Sequence, residues 1–238
     1  CNFCSAYDVF GKALRTREVD SVLGEIDELV NKYKVNDVYL ADDQFLAPRN
    51  RVIEILDGII SKNYGITLDA PNGLSPWLLT EEILIKMKRA GFWRVCLAIE
   101  SGNTWVLKNI IDKPVKLGNL PELTKLIRKC GLEVTAFLVV GNVSEDHIET
   151  FEQMEDSYSL MRELKIRNPV ISILSPHIGS NAYDALVRKG YLSEDYVDDD
   201  YQKPTFSTPL WSAEELERFV VVQSMLTRSE GMSLFWPL

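Results

Sequence analysis

The stretch LEVTAFLVV, residues 132–140, followed by Gly141 and Asn142, decides the fold class of this chain. It is the most apolar segment, and its β-branched and aromatic residues favour a strand. A continuous apolar run, unlike an alternating one, predicts a strand that is buried on both faces, as in a parallel sheet covered by helices. The segment therefore predicts an α/β fold.

Helical and strand patterns alternate on both sides of this segment. Apolar residues at helical spacing predict helices at 21–34, 51–62, 80–90, 104–109, 121–130, 147–164, 183–189 and 213–228. Short β-branched runs predict further strands at 37–41, 65–70, 94–99 and 168–174. Because a helix that joins two parallel strands makes a right-handed crossover, this regular alternation predicts a parallel sheet. An open doubly wound sheet and a curled barrel both satisfy the pattern.

The composition excludes some classes of function. The 238 residues suffice for a full core, and a hydrophobic content of 46% with 26% charged residues is typical of globular proteins. A net charge of −9 would repel a phosphate backbone, so broad nucleic-acid binding is not expected. The sequence contains no apolar run long enough to cross a bilayer and no signal-peptide pattern at its start. We therefore expect a cytoplasmic protein without a membrane partner.

Polar residues cluster just after the predicted strands. These residues are Asp42, Asp43, Asn72, Glu100, Ser101, Asn142 and His177. In parallel α/β folds the carboxyl ends of the strands meet at one edge, where ligand sites form. Each residue alone could be a turn former or a helix cap, but together they predict a ligand site at that edge.

The four cysteines fall into two groups. Cys96 and Cys130 lie singly in apolar segments, which predicts small buried side chains, whereas Cys1 and Cys4 form a C-x-x-C pair. A zinc site would normally need a second such pair, and a thioredoxin-like redox pair should follow a strand. An iron–sulfur site is the third possibility.

The pair is accompanied by other motifs in a recognisable order. Cys1-Asn2-Phe3-Cys4 resembles the second half of the motif C-x3-C-x-aromatic-C of the radical S-adenosylmethionine (SAM) superfamily. Asp42-Asp43-Gln44-Phe45 resembles the acidic variant of that family's SAM-amino-group motif, and residues 87–102 are similar to a pattern of its cobalamin-associated branch. Residues 141–145 and 176–180 resemble the turns after its fifth and sixth strands. The resemblance covers about residues 1–192.

This resemblance implies an architecture as well as a family. The family's fold is a partial parallel (β/α) TIM-like barrel, so we expect about five to six strands curled in this way. Residues 1–192 would form the radical SAM barrel. Residues 193–238 begin with an acidic stretch and end in a predicted helix, so we expect them to form an appendage packed on that barrel.

The resemblance also implies roles for particular residues. Cys1 and Cys4 would be two of three ligands of a [4Fe–4S] cluster whose open iron binds SAM. Phe3 would pack near the adenine, Asp43 with Asp42 beside it would accept from the SAM ammonium, and Glu100 with its neighbour Ser101 would lie at the ribose. No catalytic residue is assigned.

The first cluster ligand would precede Cys1 by four residues, so the chain as printed should hold iron poorly and show little activity. The activity implied is reductive cleavage of SAM to a 5′-deoxyadenosyl radical that modifies an unknown substrate. It requires an electron donor, and cobalamin could be held by a further domain.

Two alternatives remain at this point. One is a barrel enzyme of unrelated chemistry that binds a divalent metal through Asp42, Asp43 and Glu100, since hard cations prefer carboxylate oxygens. The other is a cluster-free, non-catalytic binding module related to such an enzyme.

Overall fold

A computed structural model describes residues 1–11, 13–193, 195–196 and 203–229. Within these residues the strands are β1 (Asp37–Tyr39), β2 (Thr67–Asp69), β3 (Arg94–Glu100), β4 (Glu133–Val140) and β5 (Val170–Ile173). The helices are α1 (Ala6–Phe10), α2 (Val19–Asn31), α3 (Arg49–Lys62), α4 (Glu81–Ala90), α5 (Thr104–Val106), α6 (Leu120–Lys129), α7 (Phe151–Glu163), α8 (Asn181–Arg188) and α9 (Ala213–Ser229). Helices therefore separate successive strands, as the sequence predicts.

The strands form a two-stranded and a three-stranded sheet, with the orders β1-β2 and β3-β4-β5. The pairs β1–β2 and β4–β5 are parallel, which confirms the predicted direction of the strands. Two isolated parallel bridges, Leu68 to Phe92 and Leu74 to Leu97, connect the region of β2 with β3. The fold is therefore α/β with parallel sheets.

The described residues fall into two compact units. The first unit comprises Cys1–Ala13, Ile99–Leu117 and Phe137–Leu238, and the second comprises Leu14–Ala98 and Gly118–Ala136. This grouping differs from the division at residue 192 that the sequence leads us to expect. The division into a barrel and an appendage stays a prediction. Residues 194, 197–202 and 230–238 of the expected appendage lie outside the described residues.

The core of the second unit forms where α3 and α4 pack on each other and α2 packs on α3. Ile55 and Leu56 of α3, Ile83 and Met87 of α4 and Leu68 of β2 are each at most 1% exposed. Apolar residues three or four apart lie on one helical face, which explains why the helical spacing in the sequence selects these side chains.

The core of the first unit forms around α7 and α9. Tyr158 of α7 and Phe219 of α9 meet edge to face, with ring centroids 5.9 Å apart. Trp211, two residues before α9, and Leu216 of α9 are also buried. The predicted helix at 213–228 is thus present as α9, and it packs on α7.

The structure corrects several helix boundaries, and the start of α7 shifts most. The sequence pattern predicts a helix from residue 147, but α7 begins at Phe151. Thr150 accepts a hydrogen bond from the Gln153 amide, and the Gln153 side chain accepts one from the Thr150 amide. This capping box fixes the first turn and leaves residues 142–149 as a loop. The short helix at 104–109 is also different, because α5 passes into a π-helical turn over Leu107–Ile111.

None of the described helices combines the length and apolar character that crossing a membrane requires.

Gly91, which ends α4, offers a test of packing in the second unit. It has φ +111°, and a Cβ atom there would lie 2.3 Å from the main-chain oxygen of Ile66. We expect Gly91→Ala to lower the free energy of unfolding by more than about 2 kcal/mol in urea denaturation. Gly65→Ala is the matched control, because Gly65 has φ +67° but no neighbour within 4 Å of such a Cβ. It should cost only about 1 kcal/mol, and equal losses would contradict the packing argument.

Candidate functional site

Cys1 and Cys4 lie on one turn at the start of the first unit, and residues 1–4 are called the cysteine turn below. The Cys4 amide donates to the Cys1 carbonyl oxygen at 3.4 Å, which closes the turn. Both cysteines are exposed and neither is in a disulfide. The Cys4 sulfur accepts a hydrogen bond from the Ala6 amide at 3.4 Å, and Phe3 is half-buried. The turn thus presents two accessible thiols.

Glu100, the last residue of β3, and Ser101 directly after it belong to the first unit, and both are buried. The Glu100 carboxylate pairs with the Lys113 ammonium at 2.6 Å, and the two side chains are only 12% and 9% exposed. Glu100 has φ +74°, a left-handed conformation that costs a residue with a Cβ roughly 1–2 kcal/mol. The Ser101 hydroxyl accepts a hydrogen bond from the Asn103 amide at 3.1 Å. Such strain at the end of a strand is frequent where a side chain must be directed at a ligand.

Asp42 and Asp43 lie after β1 in the second unit, and they have different surroundings. Asp42 Oδ1 accepts from the Gln44 amide at 3.0 Å, and Asp42 Oδ2 lies 3.9 Å from an Arg51 guanidinium nitrogen. Asp42 and Arg51 also line an open pocket of about 330 Å³ together with residues of α2 and α3. Asp43 is exposed, and so is Asp42. Both carboxylates are therefore accessible, and that of Asp42 also holds its own turn.

The structure thus places Cys1, Phe3, Cys4, Glu100 and Ser101 in the first unit and Asp42 and Asp43 in the second. Among the described residues, no group of three or more His, Cys, Asp or Glu side chains could hold a metal ion. The structure therefore gives no support to a divalent-metal site formed by Asp42, Asp43 and Glu100. Of the other cysteines, Cys96 is buried as expected and Cys130 is half-buried.

A buried glutamate that the sequence pattern missed lies in the first unit. Glu149 is fully buried, and its Oε2 accepts from the amide and the side-chain nitrogen of Asn142 at 2.9 and 2.8 Å. Three buried oxygens, Glu149 Oε1, Asn142 Oδ1 and Tyr158 Oη, have no partner among the described residues. Burial raises the pKa of Glu149 to about 7, against the lowering effect of its hydrogen bonds to Asn142. The Tyr158 hydroxyl can donate as well as accept, and a proton on the Glu149 carboxyl group would add a second donor among these three oxygens.

The helical spacing predicts that residues 147–150 belong to the following helix, so it does not single out Glu149. The sequence does carry a signal for its position, since Thr150 and Gln153 have the spacing of a capping box. A residue directly before the cap lies outside the helix, where its side chain can turn back onto the preceding strand.

The comparison with known families decides the relationship of this chain. Residues 1–154, well over half of the chain, match the family described as "Radical SAM superfamily". The chain belongs to the radical SAM superfamily. The resemblance seen in the cysteine turn is thus confirmed.

Curated relatives of this radical SAM chain are longer proteins. It is 29% identical over 221 residues to the cytidylyl-2-hydroxyethylphosphonate methyltransferase of Streptomyces wedmorensis, covering 91% of this chain and 41% of that protein. It is 24% identical over 218 residues to the anaerobic magnesium-protoporphyrin IX monomethyl ester cyclase of Rubrivivax gelatinosus, covering 92% and 37%. The chain therefore spans less than half the length of these relatives.

A solved structure supports the fold. The radical SAM methyltransferase TsrM from Kitasatospora setae, solved with cobalamin and a [4Fe–4S] cluster, matches with a TM-score of 0.68 at 18% identity. The match covers 92% of this chain and 44% of that one. At this identity the likeness concerns the fold alone.

Glu149 should make stability depend on pH. The carboxyl group loses its proton near its ordinary value of 4.5 when unfolded and near 7 when folded. Between these values the folded chain binds more protons, so the free energy of unfolding should fall as pH rises, by roughly 3 kcal/mol in all. The contribution of Glu149 to the free energy of unfolding should be fully present below pH 4.5 and lost well above pH 7.

Urea denaturation between pH 4.5 and 8 measures this fall. Glu149→Gln should remove it, whereas Glu152→Gln, which changes an exposed acid in the first turn of α7, should leave it in place. The same slope in wild type and Glu149→Gln would show that Glu149 does not hold the proton.

Proposed function

We propose that this chain binds a [4Fe–4S] cluster and SAM, and that the protein to which it belongs cleaves SAM reductively to modify a substrate. The observation that carries the proposal is the family match over residues 1–154, which begins at a turn with two exposed thiols. Thiolates are the usual protein ligands of such clusters. The donor chemistry of the cysteine turn therefore fits the cluster.

Cys1 and Cys4 would hold two irons. When bound, the cluster supplies one electron to the SAM sulfonium, which breaks the bond between sulfur and C5′ and yields methionine and a 5′-deoxyadenosyl radical that takes a hydrogen atom from the substrate. A low-potential one-electron donor protein is the partner that this electron balance requires. The protein's own contribution is to bind and orient these groups and to exclude water.

The accessible carboxylate of Asp43 is the better acceptor for the SAM ammonium, because Asp42 is engaged with Gln44 and Arg51. An ionised acceptor makes the stronger hydrogen bond to an ammonium group. Phe3 would border the adenine from the cysteine turn. These assignments follow from the family motif and from the different surroundings of the two acids.

Glu100, with Ser101 beside it, would face the ribose. Lys113 holds one carboxylate oxygen of Glu100, and this leaves the other oxygen to accept from a hydroxyl group. The strained backbone at Glu100 supports a side chain that is directed at a ligand.

The same proposal includes the finer architecture. Residues 1–192 would form a partial parallel (β/α) barrel of about five to six strands, with residues 193–238 as an appendage, in a cytoplasmic protein. The bridges between the region of β2 and β3, within the second unit, and the likeness to the TsrM fold support this architecture.

Methyl transfer is a second candidate reaction. The relative from Streptomyces wedmorensis and TsrM are both named as methyltransferases, and TsrM was solved with cobalamin. In that case S-adenosylhomocysteine, rather than only 5′-deoxyadenosine, should accumulate when the protein turns over SAM with its substrate.

The cysteine ligands can be tested in the protein produced from its complete gene. After anaerobic reconstitution with iron and sulfide, wild type should show an iron–sulfur absorption band and, once reduced, convert SAM to 5′-deoxyadenosine. Cys4→Ala should lose both, whereas Cys130→Ala should keep them because Cys130 follows α6 and belongs to the second unit. A wild-type protein that binds no cluster would favour the non-catalytic module instead.

Glu100 can be tested by the KM for SAM. Glu100→Gln keeps an acceptor for Lys113 but loses the charge, so the KM should rise about tenfold. Glu145→Gln is the matched control, because Glu145 also pairs with a basic residue, Arg188 at 2.6 Å, but is exposed. If the two variants have the same KM as wild type, Glu100 does not bind the ribose.

A further inference from the structure

Asn2 connects the cysteine turn to three other segments of the first unit. Its amide donates to the Ile111 carbonyl oxygen at 2.7 Å, and its side-chain Nδ2 donates to the Val143 carbonyl oxygen at 2.6 Å. Its own carbonyl oxygen accepts from the Ala182 amide at 3.1 Å. The three partners follow β3, β4 and β5 in the chain. Asn2 is therefore hydrogen-bonded to the segments that come after three successive strands.

The acceptor on Val143 belongs to a loop that is already fixed. Glu149 and Asn142 close the base of this loop, because the Glu149 amide donates to the Asn142 carbonyl oxygen at 2.9 Å and the Glu149 carboxyl group accepts from the Asn142 amide. Above this base, Val143 pairs with Ile148 in an antiparallel bridge. The buried Glu149 thus holds the Val143 carbonyl in position independently of Asn2.

The contact at Ala182 is supported by a close approach next to it. Ala182 lies in the first turn of α8, which the Ser180 hydroxyl caps by accepting from the Tyr183 amide at 3.2 Å. Just before this turn, Gly179 has φ +88°, and a Cβ there would lie 2.9 Å from an Asp8 carboxylate oxygen of α1. The segment that contains both cysteines and α1 therefore contacts the start of α8 twice, through Asn2 at Ala182 and through Asp8 at Gly179.

We propose that Asn2 is a positioning residue that fixes Cys1 and Cys4 at the ends of the strands, so that the cluster is held in one place. Asparagine suits this role because its short amide donates a hydrogen bond, whereas aspartate has the same shape and no N–H group. Any residue other than proline at position 2 could form the main-chain hydrogen bonds to Ile111 and Ala182. Only the side-chain hydrogen bond to Val143 requires asparagine there. The inference rests on the proposed cluster function.

The first arm of the test needs no iron. In the iron-free protein from its complete gene, hydrogen exchange of peptides covering residues 1–11 should be about tenfold faster in Asn2→Asp and in Asn2→Ala than in wild type. The matched control is Asn109→Asp, which removes a similar bond from Nδ2 to the Trp105 carbonyl oxygen at 2.8 Å. It should exchange at the wild-type rate in these peptides.

The second arm uses the reconstituted protein. Both Asn2 variants should assemble a cluster, lose its iron to a chelator about tenfold faster than wild type, and show a broadened electron paramagnetic resonance signal and a raised KM for SAM. Wild type and Asn109→Asp should share one slow rate and one signal. Unchanged thermal unfolding in Asn2→Asp will show that the fold is intact.

Two results would overturn the proposal. One is equal hydrogen exchange in wild type and the Asn2 variants, which would mean that the bond to Val143 does not hold the turn. The other is faster exchange with unchanged iron loss, resonance signal and KM, which would mean a structural role only. Failure of wild type to bind a cluster would refute the proposed function instead, and the exchange arm would still decide whether Asn2 holds the turn.

Discussion

The buried contact between Glu149 and Asn142 is the constraint on which the cysteine turn depends. It closes the loop after β4, and α7 can begin only beyond it, at Phe151. The same contact holds the Val143 carbonyl that accepts from Asn2, so an interior carboxyl group fixes the position of the cysteine turn. The Trp211 indole donates a hydrogen bond to the Glu149 carbonyl oxygen at 2.8 Å, which connects the segment before α9 to this loop.

Polar groups in this protein carry energetic costs that apolar packing offsets. A fully buried carboxyl group with an unpaired oxygen is unfavourable by itself, and so is a left-handed backbone at Glu100. Both features lie where β-strands end, and the helices behind them are closely packed, as the meeting of Tyr158 with Phe219 shows.

Much of the fold could be read from local pattern. The continuous apolar run at 132–140 became β4, and the helices at 49–62 and 120–129 were placed to within two residues, because burial selects residues at a regular spacing. The start of α7 is not predicted correctly. Ile148 fits the helical spacing, but its main chain forms a bridge with Val143 instead. The spacing of hydrophobic residues alone cannot distinguish a helix from a loop at residues 147–150. Here the loop forms because the side chain of Glu149 bonds back to Asn142.

The sequence by itself determined the family, because the thiols of Cys1 and Cys4 and the acids after the strands are set by residue identity and spacing. Only the tertiary structure decided how those residues are held. The pairing of Glu100 with Lys113, the burial of Glu149 and the three contacts of Asn2 join residues between 7 and 180 positions apart. Such contacts depend on which strand ends meet after folding. A local sequence pattern spans only a few residues, so it cannot indicate which distant residues will meet.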